Sequence, residues 1–97
     1  MNRFKDGKIY RLTNGYLDYY GSTCLTLEER FQSHKYHYLN YKRTGNINST
    51  SYLLFDENKD PSIDLIRNYP CESKEQLESM EMFYILSNDC VNTKVNH

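Results

Sequence analysis

Two short runs rich in Tyr, Ile and Leu, Lys8–Thr13 and Leu17–Ser22, read as β-strands. Between them stands Asn14-Gly15, the strongest short-range hairpin signal. Taken as a two-residue loop with Thr13 opposite Tyr16, the turn sets Leu12 against Leu17, Arg11 against Asp18 and Tyr10 against Tyr19. Directly opposed residues share a face of the sheet, so two phenols are expected side by side. Gly21 lies just past the second phenol, where the backbone has room to approach a ligand.

The pattern then turns helical. Thr26-Leu27-Glu28-Glu29 fits a capping box, opening a helix to about Tyr41. Leu27, Phe31, Tyr38 and Tyr41 fall on or near one face of it, and Arg30, His34 and His37 form an adjacent stripe at i, i+4 and i+7. Thr44–Asn48 reads as loop. The apolar run Tyr52-Leu53-Leu54-Phe55, within Ser51–Asp56, is expected as a short helix, although a strand fits its pattern as well, and Asn58-Lys59-Asp60-Pro61 as a turn. Ile63, Leu65 and the residues to Tyr69 suggest a third strand ending at Pro70. Ser73-Lys74-Glu75-Gln76 fits a second capping box, with a helix to about Ser87 that buries Leu77, Met80, Phe83 and Tyr84. The tail Cys90–His97 is irregular. The order ββααβα predicts an α+β domain, a small three-stranded antiparallel sheet flanked by helices, over 1–97.

Composition changes this picture in two places. Ten of the 97 residues are Tyr and none is Trp; with an apolar body and a polar tip, Tyr suits a wet core edge or a stacking surface. The net charge is −1, which by itself argues against a strong nucleic-acid binder. Its distribution is uneven, however. Residues 1–50 hold eight Lys or Arg against four acids, and residues 51–97 hold four against nine. A basic first half fits contact with a polyanion. Cys24, Cys71 and Cys90 are an odd, widely spaced set, which fits neither a disulfide framework nor a zinc site. The start, Met-Asn-Arg-Phe-Lys-Asp, has no apolar h-region, and no stretch approaches transmembrane length. The expectation is an intracellular protein with reduced thiols and no membrane partner, in which the sequon Asn48-Ser49-Thr50 is chance.

Two aromatic triplets, Lys8-Ile9-Tyr10 and Tyr19-Tyr20-Gly21, flank the turn. With Arg30 and His34 one turn apart on the next helix, Glu81 in Glu81-Met82-Phe83-Tyr84-Ile85, and Asn92 near the end, the chain resembles the GIY-YIG endonuclease superfamily from about Gly7 to Asn92. Two positions depart from the family's pattern. Lys8 stands where the first Gly is expected, with Gly7 one place early, and Tyr20 replaces the usual aliphatic residue.

The resemblance implies a metal-dependent endonuclease acting on DNA, with Tyr10, Tyr19, Arg30, His34 and Glu81 as catalytic residues. Glu81 would bind one Mg²⁺ or Mn²⁺; a single carboxylate plus phosphate oxygens and water suits Mg²⁺. Arg30 would clamp phosphate in a two-pronged fork that Lys cannot reproduce. His34 titrates near neutrality and could bond the nucleophile, a phosphate or the leaving group. The family often assigns the first triplet's Tyr as general base. A free phenol has a pKa near 10, so Tyr10 needs nearby positive charge for that role. Lys8, Gly21 and His37 are candidate substrate contacts, and Asn92 a support for the site through its amide. The alternative is a catalytically silent nucleic-acid-binding or protein-interaction module on the same fold. One such site cuts one strand, and a monomer or weak dimer is expected.

Overall fold

The computed structural model describes residues 2–46, 49–56 and 60–92. Three strands, β1 (Lys8–Thr13), β2 (Asp18–Thr23) and β3 (Ser62–Asn68), form one antiparallel sheet in the order β2-β1-β3. Two helices, α1 (Leu27–Thr44) and α2 (Lys74–Ser87), complete an α+β fold. The short helix expected at Ser51–Asp56 is a 3-10 turn over Thr50–Leu54, so the order is ββαβα with 3-10 turns added. Asn48 of the sequon, Asn58 and Lys59 of the expected turn, and the tail beyond Asn92 lie outside the described residues.

The hairpin forms at the expected place with a longer loop. Thr13 pairs with Asp18, leaving a four-residue loop Asn14–Leu17 rather than the two-residue one. Asn14 is the cause. Its Oδ1 accepts from the backbone N–H of Tyr16 and of Leu17, its Nδ2 donates to Leu54 O, and its own N–H donates to Leu17 O. Such an Asx arrangement competes with the tight primed turn. Gly15 takes the left-handed conformation, φ 90°, that the dipeptide is suited to. The pairing therefore moves by two residues: Tyr10 faces Gly21, and Leu12 faces Tyr19. A two-residue shift keeps every side chain on its own face, so Tyr10 and Tyr19 remain on one side of the sheet as diagonal neighbours.

Both helices are placed by sequence-encoded caps. At α1 the capping box is complete: Thr26 Oγ1 accepts from Glu29 N–H, and the Glu29 carboxylate accepts from Thr26 N–H. Gly45, at φ 77°, ends the helix by donating its N–H to Tyr41 O. At α2 half the box forms: Ser73 Oγ accepts from Gln76 N–H, while the Gln76 side chain accepts from Glu72 N–H.

The central strand is buried on both faces. Tyr10 and Leu12 join Leu54 and Phe55 in a cluster that Leu27, Phe31 and Tyr38 of α1 cover. Ile9 is equally buried on the other face, where Tyr20 stacks on Tyr84 of α2. Strand alternation thus sandwiches the sheet between α1 and α2. Leu77 and Ile85 are the buried residues of α2, while Phe83 is mostly exposed and Met80 half-buried, a shift of the expected stripe. Among the described residues no helix is long and apolar enough to cross a membrane.

Candidate functional site

The outer edge of β2 is where both helices can reach the same space. α1 brings Arg30, His34 and His37 from one face of the sheet, α2 brings Glu81 from the other, and Tyr19 sits on the edge strand itself. These five, with Ser49, Thr50 and Asn92, line a cleft of about 520 Å³.

Tyr10 stands behind this cleft. Gly21 is the reason it can. A Cβ built at Gly21 overlaps the Tyr10 phenol, so the absent side chain lets the ring lie flat across the edge strand. The Gly therefore serves the protein's own phenol, which fills the space over its backbone. Tyr10 is fully buried and does not line the cleft. Its hydroxyl sits 3.0 Å from Arg30 Nε and 2.7 Å from His34 Nε2. The rings of Tyr10 and Tyr19 both meet the His34 imidazole edge-on, with centroids 5.7 and 5.4 Å away. The first phenol is thus a strut for the arginine and the histidine, and the second is the phenol on the cleft wall.

Burial sets the protonation states. It pushes the Tyr10 phenol well above its ordinary value, against the opposing pull of Arg30. It also raises Tyr19, where the hydrogen bond from Ser49 works in the opposite direction. Burial, aided by the charge on Arg30, pushes the His34 imidazole down to about 3. His34 is only 1% exposed and is a neutral imidazole at physiological pH; its Nδ1 lies 2.9 Å from Ser51 Oγ. The expectation of a histidine titrating near neutrality is corrected by this enclosure.

Glu81 is half-buried, and desolvation raises its carboxyl. Ser22 Oγ, on β2 next to Gly21, donates to Glu81 Oε1 at 2.5 Å and partly offsets that cost. Among the described residues no group of three or more His, Cys, Asp or Glu side chains could hold a metal ion. One half-buried carboxylate facing an open cleft is nevertheless a donor set of the kind Mg²⁺ uses, since that ion keeps several waters.

The remaining candidates separate clearly. Asn92 makes a matched pair of bonds to the edge strand: its Oδ1 accepts from Tyr20 N–H at 2.8 Å and its Nδ2 donates to Tyr20 O at 2.7 Å. Lys8 is taken up by backbone, its Nζ donating to Asp6 O and Leu25 O at 2.8 and 2.7 Å, and it lies outside the cleft lining. Ser22, Ser49 and Ser51 carry no signal in a single sequence, because a serine beside a strand or in a loop gains meaning only from what tertiary contact brings to it.

A second depression, of about 600 Å³, shares Tyr19, Arg30 and Glu81 with the cleft. Arg3 and Lys74 lie on its walls, together with Glu78. No family model, no curated protein and no solved structure matches the chain.

Proposed function

We propose that the chain is a metal-dependent endonuclease of the GIY-YIG type that hydrolyses DNA phosphodiester bonds. The observation that supports this reading is convergence. Tyr19, Arg30, His34 and Glu81, drawn from a strand and two helices on opposite faces of the sheet, line one cleft with Tyr10 directly behind it. A packing role alone does not require a guanidinium, a carboxylate and a phenol to meet at an open edge.

In the reaction a water oxygen bonds to phosphorus as the bond to the 3′-oxygen breaks. The water loses a proton, and the 3′-oxygen gains one. Arg30, held at Nε by Tyr10 and at one terminal nitrogen by Ser33, presents its remaining N–H groups to non-bridging phosphate oxygens, where charge accumulates. Tyr19 orients the water, and its ionised form is the species able to accept the water's proton; burial, the largest influence, opposes that form, while Ser49 and Arg30 favour it. Tyr10, enclosed and protonated, holds Arg30 and His34 in place instead of meeting the water. His37, on the cleft wall, is within the space a phosphate or the leaving oxygen would occupy. Glu81 would hold the divalent ion, which when bound supplies positive charge for acidifying water and neutralising the departing oxygen.

The paired depressions support a strand-like substrate. They meet at Tyr19, Arg30 and Glu81, so nucleotides on one side of the scissile phosphate could occupy the cleft. Those on the other side would pass Arg3 and Lys74.

The test is supercoiled plasmid incubated with the protein and Mg²⁺. Nicked circles should accumulate, and a chelator should stop them. DNA retention without nicking in Mg²⁺ or Mn²⁺ would identify the silent nucleic-acid-binding module instead.

A further inference from the structure

We propose that Arg30, through the Tyr10 hydroxyl, locks His34 in its Nδ1–H tautomer, and that Ser51 and Ser49, at the entry to the 3-10 turn, are positioning residues that link Nδ1 to Tyr19 through a chain of hydroxyls. The catalytic part of this proposal rests on the nuclease reading above; the tautomer lock does not.

Donor counting fixes the direction of the links from Arg30 to Ser51. An arginine nitrogen can only donate, so the Tyr10 hydroxyl accepts from Arg30 Nε at 3.0 Å. Its own proton then goes to His34 Nε2, 2.7 Å away. A neutral imidazole accepts at one nitrogen and donates at the other, so Nδ1 carries the hydrogen and donates to Ser51 Oγ at 2.9 Å. Ser51 Oγ lies 3.1 Å from Ser49 Oγ, and Ser49 Oγ lies 3.4 Å from the Tyr19 hydroxyl. The opposite tautomer would make Tyr10 accept twice and leave its own proton to find another acceptor in a fully buried site, which is costly. Ser49 Oγ has one hydrogen for two neighbours, Ser51 Oγ and the Tyr19 hydroxyl; given to Tyr19, it puts a donor on the phenol that lines the cleft, and hydrogen bonds so aligned polarise one another.

Ser51 is 2% exposed and is the partner of Nδ1; Ser49 is the link to Tyr19. In Tyr10→Phe the lock is removed, and the His34 ring should lose its single tautomer. In Ser51→Ala and Ser49→Ala the tautomer should persist, because Arg30 and Tyr10 remain, while the link to Tyr19 is lost. Removing a donor from a phenolate raises its pKa. The rise of cleavage rate with pH should therefore move to higher pH in Ser49→Ala.

The experiment is long-range ¹H–¹⁵N NMR of the His34 ring in the full chain, run beside single-turnover cleavage of a DNA duplex in Mg²⁺ with binding measured in Ca²⁺. The parent should show a protonated Nδ1 and a bare Nε2. Tyr10→Phe should show a mixture of the two tautomers, Ser51→Ala and Ser49→Ala should keep the parent signature, Ser51→Thr should restore parent cleavage, and each Ala variant should cleave roughly tenfold more slowly, about the worth of one hydrogen bond, with DNA affinity unchanged. A parent ring protonated on Nε2, a Tyr10→Phe ring still purely Nδ1–H, or Ala variants cleaving within about twofold of the parent would each overturn the proposal. A parent that cleaves no DNA would defeat the nuclease reading, and the NMR arm would still decide the lock.

Discussion

At Gly21 one hydrogen atom decides whether the site can form. The ring of Tyr10 occupies the volume a side chain would fill, and overpacking of this kind costs roughly 1–3 kcal/mol. Gly21→Ala should lower the melting temperature and move Tyr10 away from Arg30 and His34, measurable by thermal unfolding and by loss of the upfield or downfield ring-current shifts of the His34 protons. An unchanged melting temperature would mean the ring does not cross the strand as described. The sequence marked this glycine and both tyrosines, and it marked Arg30, His34 and Glu81, because residues that a family motif spaces in order can be read along a line. It could not assign the glycine its use. Whether a missing side chain makes room for a ligand or for the protein's own phenol depends on the register of two strands, and the register depended on Asn14. A side-chain amide that takes two backbone donors lengthens the loop, and the dipeptide alone does not report that choice.

The edge of β2 is the element on which the site depends. An unpaired edge strand leaves backbone donors and acceptors open to other chains. Here Val91 N–H donates to Asp18 O, and the Asn92 amide pairs with both backbone groups of Tyr20, so the segment after α2 covers the edge as a further strand would. Asn92→Ala should lose these two bonds at about 1 kcal/mol each. The Tyr20 amide should exchange with solvent faster, while the amides of β1 keep their protection. Equal loss of protection across the sheet would instead indicate global destabilisation. Strands, caps and helices were legible because their signals are local: the Thr26 box, the Ser73 cap, the period of Leu27 and Phe31. The 3-10 turn at Thr50–Leu54 was not, since a short apolar run fits helix or strand equally, and its role is to deliver Ser51 and Ser49 to a histidine far away in sequence.

For the whole molecule, the buried neutral histidine ties stability to pH. The His34 pKa is lowered from 6.5 unfolded to about 3 folded. Between those values the unfolded chain binds a proton that the folded protein refuses. Stability is therefore full above about pH 6.5 and falls as pH drops through that window, by at most about 1.4 kcal/mol per unit. Glu81, whose carboxyl is raised, acts in the opposite sense. The difference between the parent and His34→Gln isolates the histidine. Urea midpoints taken from pH 7 to 4 should fall more steeply for the parent, and parallel slopes would contradict the burial of a neutral ring. The charge asymmetry along the chain, eight basic residues against four acids over 1–50, becomes in three dimensions Arg3 and Arg30 beside a cleft whose carboxylate comes from the acidic half. The proposed metal-holding role of Glu81 is tested most directly by Glu81→Gln, an isosteric change that keeps a partner for Ser22 and should leave the circular dichroism spectrum unchanged. DNA binding in Ca²⁺ should be altered far less than chemistry, and single-turnover cleavage in Mg²⁺ should fall by at least about 10². Cleavage by Glu81→Gln within a few-fold of the parent, with the fold intact, would contradict it.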